Sequence, residues 1–356
     1  HWIAYDLTSI SAFAPMEKTM DFDLTDVYST VADQRAKRTL SDDIVIVSID
    51  GCSREGITEA IDYVGYLNPL AIGLDVFFNY PAATDAELIS SLTQCSNLVF
   101  PVGLQMIDGH ASIFGSYFYD DISIEHKGVV NLSANSVRNV IRDFEPEYIV
   151  GNDTIRSFSA ELAKVAAPEK FEALMARGRS KETINYPSWE FEIIPAEALS
   201  NGDIPLEEVR QSIEGKVVLI GNIFDQSDFH LTPIDEGMAG LLIHARALQT
   251  ILDSCYIEET SEAISWVMAI ALSFIFILLV LVIKKRCAFE GCFVRFLQLA
   301  LMYAFLVLGC NVFAHRGDYL NFAPTLLMLG LGMLAMDIWL GLLKAVKIHI
   351  HKNRKR

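Results

Sequence analysis

Three long apolar runs follow one another in the last part of the chain and restrict its fold more than any other feature. The first, residues 263–283, has no charged side chain over 21 residues. A helix of that length crosses the roughly 30 Å hydrocarbon core of a bilayer. Residues 296–314 are also free of charge, and residues 321–343 contain a single acid, Asp337. One such run is compatible with the buried helix of a soluble core, but three in succession favour three transmembrane helices.

The charges of the chain are divided between its two parts. From residue 263 onwards there are eleven Lys and Arg against three acids, a formal charge of +8, so the total of −17 leaves −25 for residues 1–262. The connection 284–295 and the tail 344–356 are basic, whereas the turn 315–320 carries no net charge if its histidine is neutral. The positive-inside rule therefore predicts a cytoplasmic C-terminus and an acidic domain outside the membrane. The acidic domain argues against nucleic acid as a partner, and the basic tail favours anionic lipid.

The start of the sequence indicates that a segment is missing upstream. The chain begins with His1, and residues 1–13 are too polar and too short for a signal peptide. An extracytoplasmic domain needs a preceding membrane helix or signal segment, so we interpret residues 1–19 as a lead-in. The domain itself is expected to occupy residues 20–262.

The outer domain alternates short apolar runs with helical patterns. Apolar runs typical of buried strands occupy residues 43–50, 69–78, 97–104 and 216–221, and helical spacing occupies residues 54–67, 85–95, 157–178 (broken by Pro168) and 239–252. Shorter segments at 128–132, 140–150 and 183–194 are typical of strands at a sheet edge. Strand, helix and strand at this spacing form right-handed parallel units. The fold class is therefore α/β, a mixed and mainly parallel sheet followed by three transmembrane α-helices.

Four aspartates mark a candidate site at one edge of this sheet. Asp50 and Asp75 end two predicted strands, while Asp225 and Asp228 lie in the loop that leaves the strand ending at Gly221. Ligands of open parallel sheets bind beyond the carboxyl ends of the strands, which makes these acids candidate ligand-binding residues. Acids at strand ends also cap helices and order loops, and the spacing leaves both interpretations open.

Catalytic and metal motifs are missing from the sequence. There is no Gly-x-Ser-x-Gly, His-Glu-x-x-His or P-loop pattern. Asp225, Asp228 and His230 have donor types that bind divalent cations, but the ligand set is incomplete, so neither a metal nor a cofactor is expected. A hydrolase using these three residues is the weakest of the functional hypotheses. Cys52 and Cys95 form either a bridge in an oxidising compartment or two buried thiols.

Two further polar residues lie in apolar surroundings. His244 lies on the helix that follows the loop, where a lone histidine is more often a hydrogen-bonded core residue than a ligand. Asp337 lies inside a predicted membrane helix, where an acid usually faces a protein partner or a polar cavity. Pairing with Arg295 or Lys344, or extension toward the interface, is the alternative for Asp337.

The order of these motifs resembles the type-two CHASE family of bacterial extracytoplasmic sensor domains. The resemblance covers about residues 20–255 and rests on IVIVSID, LNPLAIGLDVFF, NLVFPVGL and GVVNL, and then on GKVVLIG and the segment after it. Within 215–245 the family's order is matched by Gly221, Asp228, Thr232, Pro233, Gly240 and His244. The acid-rich stretch that the family usually has after GVVNL is degenerate here, reading SANSVRNVIRD.

The resemblance implies a periplasmic sensing module with its output domain in the cytoplasm, here on a multi-pass protein of the bacterial inner membrane. The sequence departs from the family after Leu343, where relatives carry a kinase or cyclase, so the output is either truncated away or supplied by another polypeptide, and no catalytic role is expected of the chain itself. Such a protein would recognise a ligand or partner outside the cell and relay the signal through its membrane helices to a separate membrane or cytoplasmic signalling protein. A structural subunit of an envelope complex is the alternative, and homo-oligomer formation stays open.

Overall fold

The computed structural model describes residues 23–107, 109–132, 139–187, 189–286 and 290–354. The predicted lead-in 1–19, Cys287 and most of the degenerate stretch (133–138) lie outside the described residues. The chain divides into two compact units, an outer unit that contains residues 35–257 and a helical unit formed by residues 23–34 and 258–356.

The described residues form eleven α-helices and fifteen strands, which are numbered here in chain order. The helices are α1 (Leu24–Arg35), α2 (Arg54–Tyr66), α3 (Asp85–Gln94), α4 (Phe158–Ala166), α5 (Pro168–Ala176), α6 (Ala196–Ser200), α7 (Leu206–Ile213), α8 (Gly240–Leu252), α9 (Glu262–Arg286), α10 (Glu290–Arg316) and α11 (Ala323–Arg354). The strands are β1 (Thr39–Ser48), β2 (Ala71–Asp75), β3 (Leu98–Ile107), β4 (His110–Phe114), β5 (His126–Val129), β6 (Asp143–Phe144), β7 (Glu147–Val150), β8 (Asp153–Arg156), β9 (Glu182–Thr183), β10 (Trp189–Pro195), β11 (Val217–Gly221), β12 (Phe229–His230), β13 (Met238–Ala239), β14 (Glu258–Glu259) and β15 (Asp318–Tyr319).

The main sheet of the outer unit has the order β10-β1-β11-β2-β3-β4, with β5 also paired to β3. All of these pairs are parallel except the β3–β4 hairpin. The predicted fold class, a mixed and mainly parallel α/β sheet, is therefore confirmed. The antiparallel strand β4 and the helices α6 and α7 were not predicted.

Helices cover both faces of the sheet, which explains why its central strands are continuously apolar. Along β1, Ile44 and Ile46 face one core with helices α4 and α8, whereas Val45 and Val47 face the other with α2, α3, α6 and α7. Successive side chains of a strand point to opposite faces, so a strand buried on both sides has no polar alternation. The two cores bury both faces of the sheet, and its carboxyl edge carries loops.

The helical unit contains α9, α10 and α11 together with α1. The segments Glu262–Lys284 and Gly291–Arg316 are long and apolar enough to cross a membrane, and the apolar part of α11, Ala323–Trp339, is shorter. The ring of Tyr28, from α1, is fully buried and lies against Gly309, where a Cβ atom would overlap it. Its hydroxyl donates a hydrogen bond to the carbonyl oxygen of Leu320 at 3.2 Å.

Candidate functional site

The carboxyl ends of three neighbouring strands meet at one rim of the sheet. In the parallel register Ser48 of β1 lies opposite Gly221 of β11, and Gly221 lies opposite Asp75 of β2. The rim thus brings together the predicted residues Asp50, Asp75 and Gly221. The loop 222–237 starts from the same rim.

Asp50 holds the start of this loop in place. Its carboxylate accepts hydrogen bonds from the amide of Ile223 at 2.9 Å, from the amide of Phe224 at 3.0 Å and from the hydroxyl of Ser48 at 2.6 Å. Both carboxylate oxygens are occupied by these donors. Asp50 therefore orders the loop, and it does not line the cavity described below.

Asp225 and Asp228 have different roles in the loop. Asp225 is exposed and accepts hydrogen bonds from the amide and the hydroxyl of Ser227, which lower the pKa of its carboxyl group. Asp228 reaches further, because its Oδ2 accepts the amide of Gly240 at 3.1 Å and its Oδ1 lies 3.3 Å from Nε2 of His230. Asp228 thereby satisfies one of the free amides at the beginning of α8.

Thr232, Pro233 and Gly240, three of the residues on which the resemblance rests, lie at a turn of the loop and at the start of α8. Thr232 and Asp235 close a turn that contains Pro233. The amide of Thr232 donates to the carbonyl oxygen of Asp235 at 2.8 Å. The hydroxyl of Thr232 donates to the same oxygen at 3.0 Å and accepts from the amide of Asp235 at 3.0 Å. A Cβ atom at Gly240 would lie 2.7 Å from the carboxylate of Asp228. A side chain at position 240 would push this carboxylate away, so the hydrogen bond between Asp228 and the start of α8 requires glycine there.

A cavity of about 380 Å³ opens between this loop and the ends of β2 and β3. The residues around it are Asp75, Val76, Phe77, Gly103, Phe114, Val130, Asn131, Leu132, Asn222, Asp225, Asp228, His230, Gly240 and His244. Three of the four predicted ligand-binding aspartates, Asp75, Asp225 and Asp228, line it together. A volume of this size is typical of sites for small molecules.

Asp75 is the cavity residue whose carboxyl group has a strongly raised pKa. Among the described residues no side-chain hydrogen bond is formed by its carboxyl group, whereas Asp228 and Asp50 are both occupied. Burial raises the pKa of Asp75 to about 7, with a further increase from the negative charge of Asp228 and a partial offset from His230. A carboxylate without a donor is stabilised poorly in this environment, so it retains its proton to nearly neutral pH.

His244 forms part of the cavity wall as an uncharged residue. Its Nε2 lies 3.2 Å from the carbonyl oxygen of Val130, which can only accept, so Nε2 carries the proton. Burial lowers the pKa of His244 to about 4, although this hydrogen bond opposes the shift. Its ring packs edge-on against Phe158 at 5.3 Å between centroids. A structural role, one of the two predicted alternatives, fits these contacts.

An aromatic wall completes the cavity and was not predicted from the sequence. The rings of Phe77 and Phe114 are stacked with centroids 5.5 Å apart and planes 25° apart. The ring of Phe114 lies directly on Gly103, where a Cβ atom would overlap it. The sequence contained one indication of Phe77, which lies two residues after Asp75. In an extended chain, side chains two residues apart point to the same side, so Phe77 could have been grouped with Asp75. The β3–β4 hairpin that delivers Phe114 had no comparable signal.

The side chains around the cavity include aspartates and histidines, which are residue types that metal sites use. Within the described ranges no group of three or more His, Cys, Asp or Glu is arranged to hold a metal ion. Neither serine nor cysteine is among the residues around the cavity. Elsewhere in the outer unit, Cys52 and Cys95 are free thiols.

Asp337 forms ion pairs within the helical unit. Its Oδ2 lies 2.5 Å from the guanidinium of Arg295 and its Oδ1 lies 3.6 Å from Nζ of Lys284. Arg295 also donates to the side chain of Gln298 at 3.1 Å. Of the predicted alternatives, pairing with Arg295 is observed, and Lys284 is a second cation near Asp337. The side chain of Lys344 lies outside the described residues.

Comparison with known proteins identifies one family. The family model described as CHASE2 domain matches residues 7–284, and this family consists of extracytoplasmic sensor domains. The resemblance seen in the sequence is thereby confirmed. Neither the curated proteins nor the solved structures give a match.

Proposed function

The chain belongs to the CHASE2 domain family, and on that premise we propose that it is a membrane-bound sensor that binds a small ligand in the cavity of its outer unit. The sensor has no catalytic role of its own. It relays occupancy of the cavity through its membrane helices to a separate signalling protein.

The observation that carries this proposal is the double role of Asp228. This carboxylate lines the cavity and also binds the first amide of α8, through Gly240. A ligand that attracts Asp228 competes with that amide and changes the beginning of the helix. Such a ligand shifts the population between two states of α8 because it interacts differently with each of them.

Helix α8 provides a short covalent route to the membrane. It ends at Leu252, and only residues 253–261 separate it from α9. A second connection runs from α1, which belongs to the helical unit, into the first strand of the sheet. A change at the cavity rim is therefore transmitted to the helical unit through two chain connections.

The topology proposed for this sensor follows the distribution of charge. Helices α9, α10 and α11 cross the bacterial inner membrane, the acidic outer unit lies in the periplasm, and the basic segments 284–295 and 344–356 lie in the cytoplasm. The domain limits expected from the sequence, 20–262 for the sensor domain and 263–283, 296–314 and 321–343 for the crossings, belong to the same proposal.

Hydrogen–deuterium exchange of the full chain in lipid nanodiscs tests the relay. Asp228→Asn weakens the bond to Gly240, and faster exchange is expected in α8 and also in residues 258–266. Asp225→Asn is the matched control, because Asp225 lies in the same loop and cavity but, among the described residues, its carboxylate bonds to Ser227 and not to α8. Exchange that changes in the loop alone would contradict the relay and favour the alternative role as a structural subunit of an envelope complex.

A further inference from the structure

The electrostatic character of the cavity identifies the charge of the ligand it accepts. Asp75, Asp225 and Asp228 contribute three carboxyl groups, and no lysine or arginine is present among the described residues around the cavity. Unlike charges attract and like charges repel most strongly where solvent is partly excluded. The cavity therefore favours a cation and disfavours carboxylates and phosphates.

The hydrogen-bonding state of Asp75 indicates what kind of cation fits. Asp75 is partly buried, and its carboxyl group forms no side-chain hydrogen bond with the described residues, so it has free acceptor capacity directed at the cavity. A buried carboxylate is stabilised by a partner that brings both positive charge and N–H donors. A primary ammonium group supplies both. A metal ion fits less well, because the carboxyl groups of the cavity are not close enough together to form one of the three-ligand clusters that hold a metal, none of which is found among the described residues.

The aromatic wall provides the remaining contacts. The stacked rings of Phe77 and Phe114 present aromatic surface to the cavity, and ammonium groups and the methylene groups next to them pack favourably on such rings. The side chain of Asn222, at the start of the loop 222–237, adds an amide to the cavity lining. The cavity thus offers a carboxylate for the ammonium group of a small amine, aromatic surface for its methylene groups and an amide for a further hydrogen bond.

We propose that the cavity binds small primary ammonium compounds, with Asp75 as the counter-ion and the Phe77–Phe114 pair as the wall that contacts the ligand. This inference rests on the proposed function, since it names the chemical class of the ligand at the same site.

Binding of such a ligand depends on pH with a defined sign. The groups around Asp75 that titrate or carry charge are Asp225, Asp228 and His230 of the loop and His244 of α8. With a pKa of about 7, Asp75 is about 1% ionised at pH 5 and about 90% ionised at pH 8. The affinity for an ammonium ligand is therefore expected to be about 100-fold weaker at pH 5 than at pH 8.

Calorimetric titration of the full chain in detergent tests the proposal with matched probes. Butylamine and 1,4-diaminobutane are compared with their uncharged counterparts butan-1-ol and 1,4-butanediol at pH 8 and pH 5. The amines are expected to bind and the alcohols not, and Asp75→Asn is expected to weaken amine binding at least tenfold and to remove most of its pH dependence. Glu207→Gln, an exposed carboxylate outside the cavity, is the control and should bind as the parent does.

Three results would overturn the inference. Equal binding of amines and alcohols contradicts the charge argument, and equal weakening by Asp75→Asn and Glu207→Gln contradicts the assignment to this cavity. Failure of both amines to bind at pH 8 contradicts the ligand class. The exchange experiment on Asp228→Asn needs no ligand, so the relay can stand when the ligand class fails.

Discussion

Replacement of Asp75 by asparagine is expected to stabilise the outer unit at pH 8, although the same change removes the proposed counter-ion. The pKa of Asp75 is raised from 3.8 to about 7 in the folded protein. The folded state therefore holds a proton that the unfolded chain releases, and stability is lost as the pH rises from about 4 to about 7. Asparagine has no charge to desolvate, so the variant avoids this loss.

The size of the effect follows from the pKa shift. A shift of about three units corresponds to about 4 kcal/mol, and access of solvent to the cavity reduces the expected gain to about 2 kcal/mol. For a unit of this size such a gain raises the melting temperature by about 4–8 °C. The gain should be complete above pH 7 and absent below pH 4.

Calorimetric melting of the intact protein at pH 4 and pH 8 measures this difference. Glu59→Gln removes an exposed carboxylate in the middle of α2, away from the helix ends, and should leave both melting temperatures unchanged. Destabilisation by Asp75→Asn at pH 8, or an equal gain at both pH values, would refute the interpretation of Asp75 as a carboxyl group that the fold leaves without a donor.

Further substitutions separate structural residues from those of the cavity. Asp50→Ala leaves two loop amides and a hydroxyl without their acceptor, so it should lower the free energy of unfolding by about 2–4 kcal/mol; a change below about 0.5 kcal/mol in denaturant titration would argue against its role in the loop. Gly309→Ala overlaps the ring of Tyr28 and should destabilise the helical unit by about 1–3 kcal/mol. Gly330→Ala, with open space at its Cβ, is the control, and equal melting of the two variants would contradict this packing. Asp337→Asn leaves two cations unpaired and should lower thermal stability in nanodiscs, an effect that Asp337→Glu should partly restore.

The sequence predicted the fold well where burial on both faces determines it. The strands β1, β2, β3 and β11 are continuously apolar because helices cover both faces of the sheet. Short, continuously apolar runs between helical segments are typical of such buried parallel strands. The β3–β4 hairpin was missed because its strands are partly exposed and their pairing depends on the turn between them. The short helices α6 and α7 were missed because their apolar residues are too few to show a helical period.

The candidate site was predicted in part. The rim that joins Asp75 to Gly221 follows from parallel register alone, which is why the acids at the strand ends could be grouped. The different roles of these aspartates could not be predicted, because each role depends on which loop amides the carboxylate binds. Asp50 binds two of these amides, whereas Asp75 binds none of them and faces the cavity.

The most direct test of the central claim measures whether a change at the cavity rim reaches the membrane helices. Spin labels at Ile270 of α9 and Leu299 of α10, in a chain whose native cysteines are replaced by serine, report the separation of these helices in nanodiscs by double electron–electron resonance. Asp228→Asn is expected to shift the distance distribution, while Asp225→Asn leaves it as in the parent. Identical distributions for all three proteins would contradict relay from the cavity through α8 to the membrane.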